Sequence, residues 1–319
     1  MTYSPLLAVS YPRSQVYMGS AQPKGPKMRQ ETASNLDTLL KDGDAISFQG
    51  EPGAFSHQAC HEVFPGRETL PCPTFEEAIA AVRDGKAALA MLPVENSLYG
   101  RVADIHHLLP DSGLHIVAEH FLPIRMQLLG LPGAPLDGIA TAQSLNVALG
   151  QVRRFLNAHA ILPVAGPDTA GSARIVQERG DPTAAAVASE LAGEIYGLEV
   201  LAPNIEDAAH NTTRFMVCAP RPLSPAPDAR TITSFVFRVR NMSAALYKAL
   251  GGFATNGVNM VRLESYMLDG SFTATQFIAD IEGHPDQPGV AAAMAELDHF
   301  TDHIRILGVY PRHAFRGDG

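Results

Sequence analysis

The sequence predicts an α/β protein of two lobes followed by a small ferredoxin-like sandwich, and three observations carry that reading. From residue 45 to about 219, short apolar segments alternate with amphipathic ones, the pattern of strands and helices in mostly parallel sheets. Pro220, Pro222, Pro225 and Pro227 then exclude helix and central strand and mark a linker over 220–230. Beyond it, 231–312 reads in the order βαββαβ, which is that of a ferredoxin-like sandwich.

Residues 1–42 carry Pro5, Pro12, Pro23 and Pro26 and no sustained apolar period, so they read as a flexible extension, with a short helix compatible near 33–41. The first domain, 43–219, opens with a strand at 45–49. The turn Gly50-Glu51-Pro52-Gly53 leads to a helix near 55–64, then come a short strand, a helix at 74–83 and a buried strand at 87–92 that ends in Pro93-Val94-Glu95-Asn96-Ser97. The extended run 114–131 is too long for one strand, so the chain crosses there to a second lobe, about 121–200. That lobe is read as strand 138–141, helix 144–157, strand 161–165, helix 169–179 and strand 184–188. A strand at 214–219 returns to the first lobe. After the linker follow strand 231–240, helix 243–256, a hairpin of 258–267 and 271–281 around Asp269-Gly270, helix 290–300 and strand 304–310.

The 319 residues are 46% hydrophobic and 18% charged, enough to fill more than one core. Lys plus Arg number 24 against 33 for Asp plus Glu, a net charge of -9 with no dense basic cluster, which argues against a nucleic-acid partner. No apolar run reaches the ~18 residues of a membrane span, and no export signal opens the chain, so a cytoplasmic protein without a membrane partner is expected. Cys60, Cys72 and Cys218 form neither a disulfide framework nor a Cys-x-x-Cys metal site.

Several strand-to-helix junctions carry small polar residues: Ser56, Ser97, Ser144 and Thr169. Helix starts expose unpaired N–H groups, so converging starts make an anion site, although each taken alone reads first as an ordinary cap. Ser144 and Gln151, seven residues apart, would share one helix face ~10 Å apart. Asn211-Thr212-Thr213-Arg214-Phe215 sets hydroxyls beside a guanidinium at a strand entrance, where Arg can grip a carboxylate and a hydroxyl can face a substrate; a plain polar turn is the competing reading. His57, Cys60 and His61 share a helix face but lack a distant fourth metal ligand. Gly50-x-x-Gly53 lacks the third glycine and the P-loop lysine of nucleotide sites, and no Gly-x-Ser-x-Gly elbow is present.

At these residues the sequence resembles the bacterial prephenate dehydratases over about 45–310. Gly50-Glu51-Pro52-Gly53-Ala54-Phe55-Ser56 is similar to the family's Gly-Pro-x-Gly-(Ser/Thr)-(Phe/Tyr)-Ser segment, with two residues transposed. Pro93 to Ser97 resembles Pro-(Ile/Val)-Glu-Asn-Ser, and Ser144 to Val152 keeps the Ser and Gln of a third motif. Thr213-Arg214-Phe215 is similar to the Thr-Arg-Phe signature whose threonine the family uses in catalysis. The resemblance implies a two-lobed periplasmic-binding-protein-like (type II) catalytic domain followed by an ACT domain, a small amino-acid sensor. Ala244-Ala245-Leu246 stands where the family often has Gly-Ala-Leu, and Glu264-Ser265-Tyr266-Met267 where it often has Glu-Ser-Arg-Pro.

The implied reaction is the decarboxylative dehydration of prephenate to phenylpyruvate, which needs neither metal nor redox cofactor. Thr213 would hydrogen-bond or protonate the departing hydroxyl. Arg214, Ser144, Gln151, Asn96 and Thr169 would bind carboxylates and hydroxyl, with Ser56, Ser97 and Phe215 lining the site and Glu95 either orienting Asn96 or structural. L-phenylalanine is the implied effector, held near Ala244, Ala245, Leu246, Asn259, Glu264 and Ser265. The free face or edges of the four-stranded sheet would pair subunits into a homodimer or homotetramer. Arogenate as substrate and a non-catalytic amino-acid sensor are the rival readings.

Overall fold

The computed structural model describes residue 36 and residues 38–240, 242–267 and 274–317. The first lobe contains β1 (Ile46–Gln49), α1 (Phe55–Val63), β2 (Thr69–Cys72), α2 (Phe75–Arg83), β3 (Leu89–Asn96), β4 (Gly100–Arg101), α3 (Ala103–Asp111) and β5 (His115–Pro123). Its sheet runs β2-β1-β3-β11-β5, with β4 beside β3; β11 (Thr212–Ala219) comes back from the second lobe and lies antiparallel between β3 and β5. The second lobe holds β6 (Gln127–Gly130), β7 (Thr141–Ser144), α4 (Asn146–Gln151), α5 (Arg153–Ala158), β8 (Leu162–Ala165), α6 (Thr169–Arg179), β9 (Ala184–Ala188), α7 (Glu190–Tyr196) and β10 (Glu199–Ala202), in the sheet order β10-β6-β9-β7-β8. In each lobe, three parallel strands are followed in space by an inserted antiparallel one, the two-lobed arrangement expected.

The 114–131 run is two strands, and Ile124–Met126 between them is the crossing. Three expectations need correction here. The strand expected at 138–141 is β7, shifted towards the C-terminus, because residues 136–138 form a 3-10 turn. The single helix expected at 144–157 is broken at Val152. Asp207 causes the break to persist: its N–H donates to the Gln151 carbonyl at 2.7 Å while its carboxylate accepts the Arg154 N–H at 3.2 Å. The extension expected over 1–42 lies mostly outside the described residues, but Leu36 and Leu40 are buried in the first-lobe core and belong to the domain.

After a linker without helix or strand, β12 (Thr231–Val239), α8 (Ala245–Thr255), β13 (Met260–Met267), β14 (Ala274–Glu282), α9 (Pro288–Phe300) and β15 (Thr301–Pro311) form a sandwich of sheet order β13-β14-β12-β15. The turn expected at Asp269-Gly270 lies outside the described residues. Both helices cover one face of this sheet through Phe235, Phe237, Ala249, Phe253, Ala293 and Leu297. The other face is not free for a second subunit, contrary to expectation. Its Ile232, Val236, Ile278 and Leu307 join Leu92, Val94, Ile116, Met216 and Cys218 of the first lobe in one core, where each fully buried aliphatic side chain contributes about 1.5–3 kcal/mol. Gly308 makes this docking possible, since a Cβ there would lie 2.1 Å from the Ile116 carbonyl oxygen.

Candidate active site

Alternation along β3 would send Leu92, Val94 and Asn96 to one face. Instead Phe215 pairs with Pro93 and Arg214 with Glu95, leaving Val94 as an extra residue opposite that step. The bulge keeps Val94 in the core shared with the C-terminal sheet and turns Glu95 to that same side. Asn96 therefore emerges on the opposite face beside its register partner Thr213.

On that face a chain of side chains joins the lobes. Asn96 Oδ1 accepts the backbone N–H groups of Leu98 and Tyr99 at 2.9 and 3.1 Å. Its Nδ2 donates to Thr213 Oγ1 at 3.0 Å and to Asn211 Oδ1 at 2.8 Å. Asn211, almost fully buried, donates in turn to Gln151 Oε1 of the second lobe at 2.9 Å. Ser97 closes the turn, donating to the His210 carbonyl and accepting the Thr212 N–H.

A second contact between the lobes surrounds the Gly50–Gly53 turn. Arg174 of α6 grips Glu51 with two hydrogen bonds, at 2.9 and 3.0 Å, and this pairing holds the Glu51 carboxyl below its usual range. Tyr196 donates to the Pro52 carbonyl at 2.9 Å and Ser189 to that of Gly53 at 2.5 Å. Gly53 has φ +92°, and a Cβ there would stand 2.7 Å from Ala192 Cα. Its N–H donates to His57 Nδ1 at 3.0 Å. Burial, with His61 adjacent, lowers the His57 pKa to about 4, so this imidazole is a neutral acceptor. Cys60 lies buried in the core, its thiol pushed up by desolvation.

Behind the sheet, Arg214 is 2% exposed and fully engaged. It donates to Glu119 at 2.9 Å, Glu95 at 2.8 Å, Asp280 at 2.7 Å and the Tyr310 hydroxyl at 3.0 Å. Arg316 takes both oxygens of Glu119, and Arg262 approaches Asp280 at 3.4 Å. The carboxylates of Glu95, Glu119 and Asp280 thus face the guanidiniums of Arg214, Arg262 and Arg316, drawn from the first lobe and the C-terminal segment alike. Burial alone would raise the Asp280 carboxyl, but Arg214, Arg262 and the Ser234 hydroxyl hold it well below the usual carboxylate range.

The structure thereby divides the expected residues. Thr213, Asn96, Ser97 and Gln151 gather at the junction of the lobes, whereas Arg214 and Glu95 do not. Both point into the domain interface, so neither is placed to bind a substrate there, and Glu95 does not orient Asn96. Asn96 itself uses all four of its hydrogen-bonding positions on protein and has none left for a ligand. Ser144 ends β7 rather than starting a helix, and its buried hydroxyl donates to the Val187 carbonyl at 2.7 Å. Phe215 is core. Thr169 begins α6, but the N-terminal anion position is filled by the Asp168 carboxylate, which accepts the Gly171 N–H at 2.7 Å. Ser56 sits in the first turn of α1, and no hydrogen bond to protein engages its hydroxyl among the described residues.

Of the expected effector residues, Ala244 caps α8 with φ +60°, Ala245 is buried and Leu246 packs on the sandwich core. Exposed Asn259 donates to Glu282 at 3.1 Å. Arg101 of β4 donates to the Ser265 carbonyl at 2.7 Å and lies 3.8 Å from the Glu264 carboxylate. Sequence reasoning missed Asn211, Arg174 and Glu119. Asn211 carried a signal: two positions before Thr213 in an extended run, it shares the face of that threonine.

Residues 46–222 match the family model described as prephenate dehydratase. A protein of Komagataeibacter europaeus named as a bifunctional N-acyl-homoserine lactone acylase/prephenate dehydratase is 54% identical over 272 residues, spanning 85% of this chain and 97% of the relative. The Arabidopsis thaliana protein named arogenate dehydratase/prephenate dehydratase 1 is 38% identical over 303 residues, spanning 89% of this chain and 77% of the relative. The crystal structure of prephenate dehydratase from Arthrobacter aurescens in complex with L-Phe superposes with a TM-score of 0.77 at 31% identity, covering 86% of this chain and 92% of the other. With the two-lobed fold and a threonine at the lobe junction, these matches place the chain in the prephenate dehydratase family, whose chemistry is that of a hydro-lyase.

Proposed function

We propose that the protein converts prephenate to phenylpyruvate in L-phenylalanine synthesis, in the cytoplasm, and that L-phenylalanine regulates it through the C-terminal domain, read as an ACT domain. The observation that carries the catalytic part is Thr213, whose hydroxyl meets Asn96 at the lobe junction while its neighbour Arg214 is consumed on the opposite face. In the reaction, the electrons of the ring-to-carboxylate C–C bond move into the ring and release carbon dioxide. The ring C–O bond breaks, and the leaving oxygen takes up one proton to depart as water. Thr213 donates a hydrogen bond to that oxygen as charge builds on it, a positioned donor rather than a free acid. Gln151 and Ser56 supply neutral donors for the carboxylates.

Prephenate is preferred over arogenate because the ammonium of arogenate calls for a carboxylate, and at the lobe junction Glu51 is held by Arg174 and Asp168 caps α6, while Glu95 is turned to the opposite face. For regulation, the support is Arg101. It contacts Glu264 and Ser265 of the sandwich and sits on β4, which pairs with β3 at Glu95 and Asn96. With one face of the sheet docked within the chain, edge strand β13 is left for a second copy in a homodimer or homotetramer. The test measures turnover of prephenate and of arogenate, each with and without millimolar L-phenylalanine. Faster turnover of prephenate, and suppression by L-phenylalanine, support the reading; preference for arogenate or indifference to the amino acid removes the corresponding part.

A further inference from the structure

The chain of amides between Thr213 and Gln151 has a direction that the backbone imposes. Leu98 and Tyr99 present N–H groups, which can only donate, so the Asn96 atom facing them must be its oxygen. Its Nδ2 therefore faces Thr213 and Asn211 and spends both protons there. Asn211 must then offer Oδ1 to Asn96 and Nδ2 to Gln151, which accepts through Oε1. At one end, Thr213 receives a hydrogen bond from Asn96, and its own proton engages no protein group among the described residues. At the other end, Gln151 Nε2 is left in the same condition. Asn96 and Asn211, whose amides are engaged on protein, thus leave two uncommitted donors at the lobe junction.

We infer that Asn96 and Asn211 are positioning residues. They fix hydrogen-bond polarity so that Thr213 and Gln151 both present protons, matching a departing hydroxyl oxygen that needs a donor as it gains charge and a carboxylate that only accepts. This rests on the dehydratase reading above and adds to it the reason why a threonine, hardly an acid, acts consistently as a donor. If Asn96 could rotate its amide, Thr213 would turn its proton inwards half of the time and its lone pair towards an oxygen that is gaining negative charge.

The decisive variant is Asn96→Asp, which keeps size and keeps acceptors for Leu98 and Tyr99 but cannot donate when ionised. Thr213 must then turn its proton to the new carboxylate. The expected result at neutral pH is a kcat lower by about 10²-fold with KM changed far less, recovering as pH falls and the introduced carboxyl regains an O–H donor. Wild type lacks that acid recovery. A kcat within about threefold of wild type, or a loss equal at every pH with an unchanged melting temperature, overturns the inference. Should Asn96→Asp not fold, Gln151→Glu tests the other end: it still accepts from Asn211 but offers a carboxylate to a carboxylate, so KM should rise about tenfold or more, and an unchanged KM overturns the inference. If wild type proves inert on prephenate, the dehydratase reading fails by itself, and side-chain amide proton exchange still decides polarity. The Asn96 and Asn211 protons should exchange slowly and those of Gln151 fast, and the reverse order contradicts it.

Discussion

Thr213 and Arg214 are consecutive residues of β11 that serve opposite faces of one sheet: Thr213 meets Asn96 where the lobes join, and Arg214 is buried among Glu95, Glu119 and Asp280 where the C-terminal sandwich docks. Strand alternation enforces the separation, since Phe215 and Val217 lie in the core on the side of Thr213 and Met216 and Cys218 in the core on the side of Arg214. One peptide bond separates the lobe junction from the domain interface.

Arg214→Met should destabilise the protein by about 3–5 kcal/mol, because it leaves buried carboxylates without their central cation. The loss should appear in urea unfolding as a lower midpoint, with the C-terminal sandwich melting ahead of the lobes. A selective rise in KM at unchanged stability would instead return Arg214 to the substrate site.

Gly53→Ala should cost about 2–4 kcal/mol, combining a left-handed backbone with a Cβ driven against Ala192 across the lobe junction. Thermal unfolding measures it, and a variant as stable as wild type would mean that the lobes do not rest at this separation.

At Ala244 the same conformational argument runs the other way. With φ +60° and an exposed side chain, Ala244→Gly should stabilise the sandwich by about 1 kcal/mol. The readout is a higher urea midpoint with an unchanged slope; a lower midpoint would show that the methyl group packs usefully.

Acid should weaken the fold in two stages. In the unfolded chain His57 takes up a proton near pH 6.5, but in the folded protein only near 4, so between these values the unfolded state holds more protons and stability falls as pH falls. Asp280 is held ionised in the fold, and its contribution is present above the ordinary carboxylate pKa and lost as pH drops below it. His57→Gln, which can still accept from Gly53, should reduce the slope of the first stage, to which His106 and His115, also lowered by burial, contribute as well, and leave the second stage unchanged. An equal slope in this variant between pH 6.5 and 4 would assign that stage to other groups.

The order of most elements was legible because apolar periodicity marks them, down to the sandwich of 231–312; α3, which carries Pro110, and the short α7 and β10 were not read, because each offers too brief an apolar period. The division of labour at Thr213 and Arg214 was legible in principle from period two, yet a hydroxyl beside a guanidinium suggests one ligand cluster until the strand is placed. The bulge at Val94 was not legible, because an extra residue is defined only by the register of its partner strand. Nor were the partners of Arg214, since Glu119 and Asp280 approach from strands far away in sequence. The break at Val152 likewise depends on Asp207, which folds back onto that helix from a distant loop.

The initial rate of phenylpyruvate formation from prephenate, measured for the full chain and for Thr213→Ala, decides whether the lobe junction is a dehydratase site. Saturable turnover is expected of the wild type, and in the variant a kcat lower by about 10²-fold or more with a modest change in KM. Absence of phenylpyruvate with folded wild-type protein, or near wild-type turnover by Thr213→Ala, would contradict it.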